Sequence, residues 1–236
     1  MRYINKGEEP ESFTTWKALA NEDWTPTYDD LRGQEKTDLY NALLREQGFI
    51  CCYCGMRITR DLSDIGEDTS VVNRDTCHIE HLKPQSIYPE LALEYKNLLA
   101  SCQAERNQAE RNQVPPPPVR CGYKKGDWYD ENLIVSPLDA NCVDYFRYSA
   151  SGEILPTDAP DKQAAAKTTI EKLGLDIDKL RAMRNEAIDG ALLAIEGLTD
   201  EEIQLFAQGL EQLNDKGKYQ PFCFVSAYIL NQYFIT

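Results

Sequence analysis

The segment Cys77-His78-Ile79-Glu80-His81-Leu82-Lys83-Pro84 holds both histidines of the chain, and a carboxylate stands directly beside the second. Adjacent side chains at the end of a strand point in opposite directions. A Glu–His dipeptide can therefore serve one reacting centre from two sides. The carboxylate can hold a divalent cation while the imidazole takes a proton from an attacking water. An imidazole titrates near ~6.5 when unperturbed, which suits a base at neutral pH. The same alternation puts His78 on the side of Glu80, either as a second metal ligand or as a strand histidine satisfied by hydrogen bonds.

A second constellation is built of thiols. Cys51 and Cys54 form a Cys-x-x-Cys pair, whose tight turn brings two thiolates to one side, as tetrahedral zinc requires. Cys102 ends the apolar stretch NLLASC, and Cys121 opens CGYKKG. Two ligands before the Glu–His segment and two after it would bolt the module together around one Zn²⁺. Cys52 could take the place of Cys51, and reduced structural thiols or a redox pair are the other readings of the set. Cys77, Cys142 and Cys223 sit among apolar neighbours and read as buried filler.

These groups need elements to position them. Residues 1–50 read as an arm carrying Trp16 and Trp24, then a helix marked by Leu39, Tyr40, Leu43 and Leu44 and stopped by Gly48. Residues 51–126 form the module with the cysteines and histidines. It carries an insertion at 103–120, in which AERNQ occurs at 104–108 and again at 109–113, followed by Pro115 to Pro118. That stretch reads as a helical extension and a stiff exposed loop. Residues 127–236 are mainly helical. The expected helices are 161–173, ended by Gly174; 176–196, ended by Gly197; 199–213, with Thr199 and Glu202 as a capping box; and 221–235, with Pro221 in its first turn. The last is apolar over much of its surface (Phe222, Phe224, Val225, Tyr228, Ile229). It reads as a core helix of this chain or as a partner-binding helix.

Composition bounds the partners. With 42% hydrophobic and 10% aromatic residues, the chain can bury a core. No apolar run approaches the roughly 20 residues of a membrane span, so no membrane association is expected. MRYINKGEEPESF lacks the apolar stretch of an export signal, which points to the cytoplasm and reduced thiols. The net charge is −14. Residues 1–50 carry 6 basic and 10 acidic side chains, residues 51–126 carry 10 and 10, and residues 127–236 carry 9 and 19. A protein that holds a polyanion unaided shows a basic face. If this chain acts on nucleic acid, another subunit holds the substrate, and the acidic C-terminal helices are either a protein-binding surface or a solvated face.

The segment CHIEHLKP resembles the first strand and turn of the HNH (ββα-metal) nuclease fold. The resemblance implies Glu80 as ligand of a catalytic Mg²⁺ or Mn²⁺ and His81 as general base. Asn97, sixteen residues on in YKNLL, would pin the loop and orient the imidazole. A helix at CGYKKG would bring Lys125 to the developing charge, with Lys124 and Lys83 as phosphate-binding groups. Where the family places a metal-binding His or Asn, this chain has Gly122 or Tyr123. Asp127 is then the candidate substitute, unless the metal relies on Glu80, His78 and water.

The longer strings IEHLKPQSIYPELALEYKNLLASC, CGYKKGD, IVSPL and DYFRY, and the opening MRYINKGEEPESFTTWK, resemble the HNH subunit of Septu-type anti-phage defence systems (PtuB-like), found also in retron operons. The likeness spans roughly residues 1–195. It implies an α+β fold, an HNH module with a structural zinc held by four cysteines, flanked by N-terminal and C-terminal helical regions. It also implies hydrolysis of phosphodiester bonds in DNA or structured RNA such as tRNA, licensed by an ABC-type ATPase (PtuA-like) partner. In retron versions a reverse transcriptase with its RNA–DNA product joins the assembly. The substituted ligand position and the acidic surface support a second reading, a zinc-stabilised binding subunit without chemistry.

Overall fold

The computed structural model describes residues 1–60, 76–103 and 118–234; the AERNQ tandem and Pro115 to Pro117 lie outside the described residues. The described chain is α+β, with seven helices and two small antiparallel sheets. In order these are α1 (Glu11–Lys17), α2 (Gly33–Glu46), β1 (Cys77–His81), β2 (Leu98–Cys102), α3 (Cys121–Lys125), β3 (Phe146–Tyr148), β4 (Ile154–Pro156), α4 (Pro160–Leu173), α5 (Asp178–Ala194), α6 (Asp200–Leu210) and α7 (Cys223–Tyr233). No helix is long and apolar enough to cross a membrane among the described residues.

Leu39, Leu43 and Leu44 bury one face of α2, as their spacing requires. Beyond its end the chain folds into a tight knuckle. Cys51 N–H donates to Met56 O at 2.8 Å, Gly55 N–H donates to Cys51 O at 3.1 Å, and Ile50 bridges to Arg57. Gly55 has φ 80°, and a methyl group there would overlap the Phe224 ring, so only glycine fits the turn under α7.

β1 and β2 pair antiparallel, from Cys77 opposite Cys102 to His81 opposite Leu98. The free edge of β2 is closed by side chain and knuckle. Buried Gln47 accepts from Ala100 N–H at 2.7 Å and donates to Ala100 O at 2.8 Å. Cys52 N–H donates to the same carbonyl at 3.1 Å. Knuckle, α2 and sheet thus form one unit with their backbone groups paired, and α3 packs on β2.

In the C-terminal half, α4 stops at Gly174, which takes φ 59°. α5 begins at Asp178 rather than 176, because the Asp176 carboxylate instead accepts Ile154 N–H and the Arg181 guanidinium. The Thr199–Glu202 capping box opens α6, but the helix ends at Leu210, short of 213. Residues 214–218 close a turn of their own through Asn214 N–H to Lys218 O at 3.0 Å. Pro221 is not in the first turn of α7. Phe222 takes φ 55° and donates its N–H to Gly55 O at 3.0 Å, which turns the chain before the helix begins at Cys223. α7 is a core helix of this chain: it packs on α5, α6 and β3, and Ser226 Oγ donates to Ala187 O at 3.1 Å.

Candidate functional site

The knuckle, the end of β2 and the start of α3 bring Cys51, Cys54, Cys102 and Cys121 together, all buried, with their sulfur atoms within 4.8 Å of one another. Tetrahedral zinc with bonds of ~2.3 Å sets its sulfurs about 3.8 Å apart. Cys54 and Cys102 Sγ are 3.9 Å apart. Cys51, and not Cys52, belongs to the set, and Cys102 N–H donates to its sulfur at 3.3 Å. Burial raises the Cys51 thiol, but hydrogen bonds with Cys102, Cys121, Cys52 and Cys54 outweigh it and hold Cys51 well below the usual thiol range. Burial and the neighbouring sulfurs push Cys121 well above it. Cysteine binds a metal as the thiolate, so a cation among these sulfurs would offset the burial that opposes their ionisation. The four cysteines could hold a metal ion such as zinc. Cys121 also takes φ 54°, a strained conformation at a side chain that metal ligation would hold in place.

Glu80 and His78 share one face of β1. Glu80 is 6% exposed; its Oε1 accepts from Lys125 Nζ at 2.9 Å and from Tyr53 OH at 3.2 Å, and its Oε2 lies 3.3 Å from His78 Nε2. Burial pushes its carboxyl up, but the His78 hydrogen bond and the Lys125 cation outweigh burial and hold it below the usual range. The backbone of α3 closes over this pair at Gly122. A methyl group there would overlap Glu80 Oε2 and lie 2.6 Å from His78 Nε2. As Glu80 and His78 stand, no side chain fits at position 122, and a His or Asn ligand there would require both to move. The Tyr123 ring meets the His78 ring edge-on, with centroids 4.7 Å apart.

His81, on the alternate face of β1, is set by two contacts. Its Nε2 lies 3.0 Å from Ala92 O, which must accept a proton from it, and the Tyr28 ring stands 4.5 Å away, nearly perpendicular. Nδ1 is thereby left as the basic nitrogen. Burial lowers the imidazole pKa, favouring the neutral form. Asn97 clips the intervening loop: Oδ1 accepts Lys83 N–H at 2.8 Å, while Nδ2 donates to Lys83 O at 3.0 Å and Leu91 O at 3.1 Å.

The remaining expected residues stand elsewhere. Lys125 is buried behind Glu80, also donating to His81 O at 3.0 Å, so its charge acts on the carboxylate and the His81 peptide. Asp127 does not join Glu80 and His78; it accepts from Ser86 Oγ at 2.7 Å, and the only group of three or more metal-competent side chains among the described residues is the four thiols. Lys124 is exposed, its stem against the Gly174 turn. Lys83 lies over the Tyr88 and Tyr129 rings.

Sequence reasoning missed Tyr53, Tyr28, Gly122 as a steric element, and Arg120. Arg120 is buried beside the thiols; burial alone would lower its pKa, but the neighbouring Cys102, Cys54 and Cys121 raise it. A cation directly before a ligand cysteine was the available signal; nothing in the sequence pointed to Tyr28. Compared with known proteins, the chain matches no protein-family model and no curated protein.

Proposed function

We propose that this protein is a metal-dependent phosphodiester hydrolase of HNH type, the effector of an anti-phage defence complex in which an ABC-type ATPase holds and licenses it. One observation carries the reading. On adjacent residues of β1, a buried charged carboxylate and a buried neutral imidazole face opposite ways, and the imidazole presents Nδ1 because Nε2 donates to Ala92 O. The β1–β2–α3 order is the one the HNH resemblance implies, and the thiol cluster frames it.

His78 and Glu80 offer two donors 3.3 Å apart, close to the separation of about 3 Å between neighbouring ligands on a hexacoordinate Mg²⁺ or Mn²⁺; such ions keep several waters beside one or two protein ligands. A cation there supplies charge stabilisation at the phosphate oxygens. The chain's own residues do the rest. His81 Nδ1 takes the proton of the attacking water, Ala92 O stabilises the imidazolium that results, and Asn97 keeps the loop bearing that carbonyl in place. Lys125 and Tyr53 hold the Glu80 carboxylate in one orientation. The net charge of −14 supports a partner that brings the polyanion. A reverse transcriptase with its RNA–DNA product is the further partner in the retron form of the proposal.

The test is to incubate the chain, with its co-expressed ATPase, with labelled DNA and total RNA, with and without Mg²⁺ or Mn²⁺. Metal-dependent scission that His81→Ala abolishes, with the complex still assembled, is the expected result. Cutting by the His81→Ala protein overturns the assignment. Lys125 on Glu80 Oε1 and the exclusion of a side chain at Gly122 favour a second reading, a zinc-stabilised binding subunit. Absence of scission in every arm supports it.

A further inference from the structure

Two loops leave the Glu80–His81 centre and are zipped together beyond it. One follows His81; the other follows Lys125, whose ammonium rests on Glu80 and the His81 carbonyl. Ser86 on the first donates to Asp127 on the second at 2.7 Å. Two residues further along each loop, the Tyr88 and Tyr129 rings meet edge-to-face, with centroids 5.6 Å apart and planes at 80°. Lys83 Nζ lies 5.6 Å from one ring centroid and 5.4 Å from the other. Lys83, Tyr88 and Tyr129 are all half-buried, and Ile87 between them in sequence is 55% exposed. The lysine backbone is held at both its N–H and its C=O by Asn97. A cation and two aromatic rings are thus fixed to the same clip that sets the His81 loop.

We propose that Lys83, Tyr88 and Tyr129 bind one unpaired nucleotide beside the bond to be cut, its base stacked on a tyrosine face and its phosphate on the Lys83 ammonium. The perpendicular rings touch, so a base cannot slide between them; it lies on one open face with the other ring as a wall. The lysine head sits near the outer limit of cation–π attraction at about 6 Å and hydrogen-bonds the Tyr129 side chain; an ammonium has three donors, so others can reach an anion. The surroundings favour stacking over charge: Asp127 lies in the zip and Glu131 acts on Tyr129. A duplex hides its base faces and is held through many phosphate contacts. Here one lysine stands among acids. An unpaired base offers a π-face whatever its identity, and such stacking is the main term in single-strand binding. The position beside the scissile bond rests on the proposed nuclease reading; the binding itself does not.

The experiment uses the zinc-loaded full chain carrying His81→Ala, so that nothing is cut. Fluorescence anisotropy compares labelled eight-residue oligothymidine and oligouridine with a mixed-sequence single strand and its duplex. Strands bearing 5-bromouracil are photocrosslinked and the adduct located by mass spectrometry. The single strands are expected to bind at least about tenfold tighter than the duplex, with adducts at Tyr88 or Tyr129. Tyr88→Leu and Tyr129→Leu should each weaken the single strand by about tenfold, with Tyr→Phe retaining binding. The deoxy and ribo arms tell which sugar is preferred. Equal or tighter duplex binding, unaffected Leu variants, adducts elsewhere, or no binding up to the solubility limit each overturn the proposal. Stacking with no metal-dependent cutting by the unmutated complex would sink the nuclease reading alone. Cutting of duplex, indifferent to both tyrosines, would sink this one alone.

Discussion

The thiol cluster and the Glu80–His81 centre sit on the two paired strands of one sheet, the first using β2 and the second β1, yet they are built on opposite terms. The cluster draws one donor or two from each of three separated segments, and every donor is a ligand in its own right. The other centre takes His78, Glu80 and His81 from a single five-residue strand. Its remaining parts position those three: Gly122 by leaving room, Lys125 and Tyr53 by fixing a carboxylate, Asn97, Ala92 and Tyr28 by fixing an imidazole. The two meet at one peptide bond, because Cys121 is the fourth thiol and Gly122 abuts Glu80 and His78. The position of the soft-ligand site is thereby tied to that of the carboxylate and imidazole.

The largest effect should come from breaking the closed site. Removing the metal with a strong chelator, or Cys102→Ser, is expected to reduce bound zinc from one per chain to none and lower Tm by about 10 °C or more, since structural zinc contributes on the order of 10 kcal/mol of binding energy in small domains. Differential scanning fluorimetry with elemental analysis reads both. An unchanged Tm would mean that the sulfurs are ordinary core thiols.

Gly122→Ala should separate the two sites. The added methyl collides with Glu80 and His78, costing about 1–3 kcal/mol. Zinc content should stay at one per chain while metal-dependent cleavage falls about a hundredfold. A variant that cuts normally would show that α3 does not lie against the carboxylate. Asn97→Asp is a gentler probe. It keeps an acceptor for Lys83 N–H and loses both donors, to Lys83 O and Leu91 O. A loss of about 1–3 kcal/mol is expected in denaturant unfolding, as for buried groups left unpaired. Asp127→Ala should matter least: its bond to Ser86 is exposed, so stability should change by less than about 0.5 kcal/mol and metal-dependent cutting should persist. Weakened Mg²⁺ or Mn²⁺ dependence in that variant would restore Asp127 as a ligand.

Much of the fold was legible. Leu39, Leu43 and Leu44 marked α2, Gly174 ended α4, and Thr199 with Glu202 opened α6, because each signal is a dihedral preference or hydrogen bond among near neighbours. The thiol set was legible because a Cys-x-x-Cys turn and two more buried cysteines state their chemistry by type. Pro221 misled, since the pull of Gly55 O on Phe222 N–H comes from a residue 167 positions earlier. Lys125 read as a free cation for the same reason: nothing near it in sequence announces that Glu80 will claim its ammonium.

The amino-acid order alone determined which donors exist, that His78 and Glu80 share a face while His81 takes the other, and where α4 stops. These follow from strand alternation and local backbone preference. Only the tertiary structure decided that α3 would press a glycine onto the carboxylate, that Asp127 would bind Ser86, and that Tyr28 would cover the imidazole. Those contacts join residues more than forty positions apart. They are selected by the packing of whole elements around one core, where close-packed volume rather than local propensity determines which side chains meet.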